Sequence, residues 1–125
     1  MHALLQCLTV GAAGFVGAIV RFGLGTFAAH LVPDRPWLGT AVINLTGSFV
    51  LGYFMAAFGD RFPMGHPMRL AVATGFLGAY TTFSTFTYEA DTMLRGGQYL
   101  TLALYVGGSV VLGILACGIG VAAGR

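Results

Sequence analysis

Gly75-Phe76-Leu77-Gly78-Ala79-Tyr80-Thr81-Thr82-Phe83-Ser84-Thr85-Phe86 lies in the middle of an apolar run, yet it crowds glycines, hydroxyl side chains and two phenylalanines three positions apart. A polar, glycine-bearing stretch at mid-membrane depth is tolerated only where its freed backbone groups find partners in protein, water or an ion. The pattern therefore predicts a broken helix, and the rest of the chain is read outward from that break.

The class follows from composition. Of 125 residues, 57% are hydrophobic and 8% charged, with a mean hydropathy of +0.84, against roughly 25% charged residues in a soluble domain. This is the composition of an integral membrane protein. About 20 residues are needed to cross a hydrocarbon core about 30 Å thick, so the length allows about four spans joined by short turns, one transmembrane domain over residues 1–125. The net charge of +2 comes from six arginines and four acids, with no lysine. That excludes a nucleic-acid footprint, which needs a clustered basic surface.

The first apolar segment runs from Leu4 to Ala29, broken only by Arg21, and ends at the turn-rich His30–Trp37, which holds Pro33 and Pro36. It lacks a basic leading region and is too long for a signal-peptide core, so it is expected to be retained as a span. The second segment is Leu38 to Phe58, the third Arg69 to about Leu94 and the fourth Tyr99 to about Ala123. Trp37 fits an interfacial anchor. The fold expected is all-α, four transmembrane helices running up, down, up, down, the third of them broken.

Arg61, Arg69 and Arg125 then fall on the side of the N-terminus, side A, while Arg35 and Arg95 fall on side B. Arginine asymmetry between short loops normally sets orientation. Here it is nearly absent, and the expectation is a chain that inserts both ways and pairs as an antiparallel two-fold homodimer. A partner or the translocon fixing a single orientation is the competing explanation.

Several features carry no chemistry. Gly11, Gly14 and Gly17 on the first helix, and Gly107, Gly108, Gly113, Gly118 and Gly120 on the fourth, read as close-contact faces. Cys7 and Cys117 lack metal-ligand spacing and read as packed free thiols. His2, His30 and His66 sit in termini or loops. Gly23-Leu24-Gly25-Thr26-Phe27-Ala28 matches the dinucleotide fingerprint, but that motif needs a βαβ unit. Asn44-Leu45-Thr46 is a glycosylation sequon inside a span. Both are chance matches.

Thr40, Asn44 and Ser48 recur every four residues on the second helix, as do Thr101, Tyr105 and Ser109 on the fourth. Each set therefore shares one helix face. Counted from the side B ends at about 1.5 Å per residue, Asn44, Arg21, Phe83, Phe86, Tyr105 and Ser109 share one layer of the membrane. Glu89 lies close to the level of Arg21, and an ion pair between them is expected, because intramembrane charges generally pair or face a cavity. Isolated polar residues are ordinarily interhelical glue. Two complete stripes point instead to a transport path.

The Asn44 amide, the hydroxyls of Tyr105 and Ser109 and the Arg21 guanidinium are hydrogen-bond donors. Phenylalanine edges are electropositive. The lining suits a small monovalent anion, since it has neither a carboxylate ring nor an arginine cluster. Helix packing for the two phenylalanines and snorkelling for Arg21 are the plainer alternatives.

The run Thr81-Thr82-Phe83-Ser84-Thr85-Phe86 after Gly78, with Gly14-x-x-Gly17-Ala18-x-x-Arg21 before it and Asn44 between, closely resembles the Fluc-type (CrcB) fluoride channels over essentially the whole chain. The resemblance implies a passive fluoride-selective channel and no enzyme, an antiparallel dual-topology homodimer with two pores in the plasma (inner) membrane, letting fluoride leave a microbial cytoplasm. It places pore residues at Phe83, Phe86 and Asn44, and a polar track at Tyr105, Ser109 and Thr40. It also implies a structural sodium ion (Na+) at the two-fold, held by the backbone carbonyls of Gly78 and Thr81. Family members often have a second glycine where this chain has Ala79. A dual-topology proton-coupled exporter of small solutes is the alternative, with Glu89 as its only candidate carboxylate. A non-transporting assembly subunit is a third.

Overall fold

The computed structural model describes residues 2–125, which form α1 (His2–Leu31), α2 (Trp37–Phe58), α3 (67–80), α4 (Phe83–Arg95) and α5 (Tyr99–Ala123). There is no strand among the described residues. Helices α1, α2 and α5 are long and apolar enough to cross a membrane. The segment expected to be the third span forms two pieces, α3 and α4, as a bent helix.

Local chemistry accounts for the boundaries. Pro33 and Pro36 separate α1 from α2, since proline cannot continue the helix before it. His66 caps α3: its Nδ1 accepts from the Met68 N–H at 3.2 Å, and Pro67 supplies a first residue with a preset φ. Over Leu70–Phe76 the helix widens, so that the Leu77 N–H reaches the Val72 carbonyl five residues back. Such π-type widening occurs mostly as a local feature at functional sites. Arg95 sits in the last turn of α4, where a cation suits the helix dipole, and bonds Asp91 at 2.7 Å.

The helix breaks at Thr81 and Thr82, whose ψ values of 157° and 115° are extended. Within the expected Gly75–Phe86 break Gly78 is still helical, and the gap opens at Thr81. No described non-glycine residue has a positive φ, and Gly78 is not among the positive-φ glycines either. Ala79 therefore meets no conformational obstacle.

α2 packs mainly against α5, and α1 mainly against the widened part of α3. Glycines permit the closest approaches. A Cβ at Gly52 would collide with the Cys117 carbonyl, one at Gly120 with the Phe49 carbonyl, and one at Gly17 with the Phe76 carbonyl. The expected glycine faces are only partly used, because Gly11, Gly107, Gly108 and Gly118 have nothing within 4 Å. Cys117 is half-buried, whereas Cys7 is exposed and unpacked. A small core of Ile43, Leu77 and Tyr80, flanked by Val72 and Phe76, joins α2 to α3. Most other large apolar side chains face outward, as lipid solvent allows. The Gly23–Ala28 motif lies inside α1 and the sequon inside α2, so neither has the setting its chemistry needs.

Candidate functional site

The break is held open by one side chain. Asn44 Nδ2 donates to the Thr82 carbonyl at 3.0 Å, and Asn44 Oδ1 accepts from the Thr82 N–H at 2.8 Å. In an uninterrupted helix that N–H would bond the Gly78 carbonyl four residues back. The Thr85 N–H, which would reach Thr81, bonds the Thr82 hydroxyl instead at 3.3 Å. Side chains thus displace the helical donors of two carbonyls, Gly78 and Thr81. These are the two oxygens that the family resemblance implies for a sodium ion, and oxygen-only donors suit a hard cation. Their helix ends there, which adds the negative end of its dipole.

Beside these carbonyls lies a cleft of about 310 Å³, bordered by Asn44, Ser48, Gly78, Thr81, Thr82 and Phe83. Ser48 turns its proton inward to the Asn44 carbonyl at 2.8 Å, so it offers the cleft an acceptor. Phe83 is 76% exposed and Phe86 half-buried, with ring centroids 5.9 Å apart and planes tilted by 41°. Phe86 in turn meets Tyr105 at 5.0 Å and 58°. The two phenylalanines do share a face, and that face leads to α5.

Deeper in, Glu89 gathers the two polar stripes. Thr40 Oγ1 donates to Glu89 Oε1 at 2.9 Å, and the Tyr105 hydroxyl donates to Glu89 Oε2 at 2.5 Å. Tyr105 is 2% exposed and Thr40 7%. The Tyr105 hydroxyl, expected to be a free donor, is therefore committed to a carboxylate, and the Thr40 hydroxyl with it. The expected Arg21–Glu89 pair is absent: the ion pair found among the described residues is Arg95–Asp91. Arg21 instead borders a separate cavity of about 440 Å³ with Thr26, Thr40, Thr82 and Thr85, and its Nε is buried without a hydrogen-bond partner. Ser109 is half-buried one turn beyond Tyr105, and no hydrogen bond ties it to Asn44 or Glu89.

Residues 8–121 match the sequence profile of the family described as CrcB-like protein, Camphor Resistance (CrcB). The chain belongs to the CrcB family. Curated relatives agree with the assignment over nearly the full length. The fluoride-specific ion channel FluC of Nitratidesulfovibrio vulgaris is 36% identical over 120 residues, 96% of this chain and 97% of the relative. That of Stutzerimonas stutzeri is 40% identical over 120 residues, with the same coverage. FluC 2 of Geobacillus kaustophilus is 42% identical over 119 residues, 94% of this chain and 92% of the relative.

Two features of this CrcB chain were not anticipated from sequence. Thr82 is the residue to which Asn44 is bonded, and Glu89 is the hub of the polar groups. A signal for the second existed: Phe83, Phe86 and Glu89 recur every three residues, which is one helix face.

Proposed function

We propose that this chain is a passive fluoride-selective channel of the plasma (inner) membrane, through which cytoplasmic fluoride leaves the cell. The near full-length similarity to proteins named fluoride-specific ion channels carries the proposal. The site supplies a physical route for it. A small anion entering the cleft meets the second Nδ2 proton of Asn44, because only one of the two is spent on Thr82. It then passes the edges of Phe83 and Phe86, and reaches Tyr105, whose hydroxyl rotates between Glu89 and the ion. Thr40 bonds the same carboxylate, Ser109 follows one helical turn after Tyr105, and Arg21 sets a positive charge in the cavity that Thr40 and Thr82 also border. Fixed donors in a narrow path replace the water that fluoride holds tightly, which disfavours larger halides.

The working unit is a four-span, dual-topology antiparallel homodimer. The balanced arginines support it, as does an exposed Gly78 that nothing in its own protomer requires to be glycine. Two copies of the break would bring the Gly78 and Thr81 carbonyls together around a structural sodium ion, which satisfies oxygens that would otherwise be unpaired in lipid. The sodium has no part in moving the anion.

The deciding measurement is efflux from liposomes reconstituted with the full chain, fluoride against chloride. Fluoride release well above empty vesicles with negligible chloride release is expected. Equal release of the two halides, or none of either, overturns the proposal.

A further inference from the structure

Four aromatic rings form one continuous file: Phe83 to Phe86 at 5.9 Å, Phe86 to Tyr105 at 5.0 Å and Tyr105 to Trp37 at 5.1 Å. The file does not end in lipid. Trp37 forms one wall of a cavity of about 330 Å³ at the side B end of the molecule, where the α1–α2 and α4–α5 connections meet. Its other borders are Asp34, Arg35, Gln98, Thr101 and Leu104. Thr101 is the outermost member of the polar stripe that continues through Tyr105. An interfacial anchor needs neither a ring packed against a buried tyrosine nor a polar cavity behind it.

We propose that this cavity is the side B mouth of the anion path and that Trp37 is the plug between the mouth and the Tyr105–Glu89 pair. The inference rests on the channel function proposed above. The mouth takes a small hydrated anion. Arg35 and Gln98 offer it donors and Thr101 a hydroxyl, while Asp34 opposes it, so the site admits an anion without holding it. Conduction requires such a balance, favourable enough to enter and weak enough to leave. The indole of Trp37 borders this cavity on one side and meets Tyr105, which does not border it, on the other, so it stands between the two. Passage therefore requires the indole to swing aside.

The test places a charge at the mouth without touching the buried groups. In full-length protein with Cys7→Ser and Cys117→Ser, Gln98→Cys is reacted on both membrane faces with an anionic or a cationic methanethiosulfonate, and labelling is followed by mass. Fluoride efflux is compared with the same unlabelled protein. Sulfonate at this position is expected to slow efflux about fivefold or more, and trimethylammonium to slow it less. Met64→Cys, on the exposed α2–α3 loop, serves as the labelled control and is expected to show no change.

Complete sulfonate labelling of Gln98→Cys with less than a twofold change overturns the mouth assignment while leaving the channel proposal intact. No efflux from the unlabelled wild-type protein overturns both. For the plug, Trp37→Ala is expected to speed fluoride efflux and to raise chloride leak, with Trp37→Phe close to wild type. Equal efflux and equal chloride exclusion in properly assembled Trp37→Ala protein would return Trp37 to an anchoring role.

Discussion

Asn44 bonds Thr82 twice, donating to its carbonyl and accepting from its N–H, and so stands in for the helical turn that the third span lacks. Removing the side chain leaves both backbone groups unpaired away from water, at a cost of about 1–3 kcal/mol for each. Asn44→Ala is expected to lower the thermal midpoint of the detergent-purified protein by several degrees and to abolish fluoride efflux. Asn44→Asp keeps the acceptor and loses the donor, and should fall between. A midpoint unchanged in Asn44→Ala would mean that the break is held by something else.

The two phenylalanines differ in what surrounds them. Phe83 is largely exposed in the protomer, whereas Phe86 leans on buried Tyr105. Phe83→Ile is therefore expected to leave stability within about 0.5 kcal/mol, as for surface positions. Phe86→Ile should cost more. Both should cut fluoride efflux at least tenfold, by about 1.4 kcal/mol or more in barrier height, while the dimer still assembles by size exclusion. Undiminished efflux in both variants would take the rings out of the path.

Glu89 separates the channel from the proton-coupled alternative. A carboxylate with two hydroxyl donors is the group such an exporter would titrate. For a channel, net fluoride flux follows the electrochemical gradient of fluoride itself. Liposomes with and without an imposed proton gradient, at fixed fluoride gradient and clamped voltage, should therefore give the same net flux. Uphill accumulation driven by protons alone would favour the exporter.

Two glycines on α5, two positions apart, make a matched pair. Gly120 meets the Phe49 carbonyl and Tyr53 N–H of α2, and Gly118 meets nothing within 4 Å. Forcing a methyl group into packed space costs about 1–3 kcal/mol. Gly120→Ala should lower the unfolding midpoint accordingly. Gly118→Ala should leave it unchanged or raise it slightly, since alanine is favoured over glycine within a helix by about 1 kcal/mol. Equal effects at both positions would argue against the α2–α5 contact described above.

The helices were legible because each apolar run is long and its ends carry proline, glycine or charge. Leu38–Phe58 and Tyr99–Ala123 come within a residue of α2 and α5. The polar stripes were legible because helical spacing alone puts Thr40, Asn44 and Ser48 on one side. What spacing cannot say is which hydroxyl protons are already spent. Thr40 and Tyr105 look like free donors in a list of residue types, and become spoken for only when Glu89 arrives from α4. Arg21 failed for the same reason. Depth placed it level with Glu89, but Arg21 borders a cavity with Thr26, Thr40, Thr82 and Thr85 and makes no ion pair with Glu89. Within the expected break the glycine draws the eye, but the gap lies at Thr81 and Thr82, and the deciding residue is Asn44, on another helix. The Leu70–Phe76 widening had no sequence signal at all.

That widening gives α3 a residue to spare. A stretch wound with i to i+5 bonds contains more residues per turn than one wound with i to i+4. A chain one residue shorter between positions 70 and 76 could close into ordinary helix while Thr81, Thr82 and their clamp on α2 stayed in place. Because the widened turn already holds the extra residue, Arg69 and the His66 cap would keep nearly their present orientation, instead of turning by the ~100° that a deletion from ordinary helix imposes. A one-residue deletion here would thus spare both the basic loop that precedes α3 and the break that follows it.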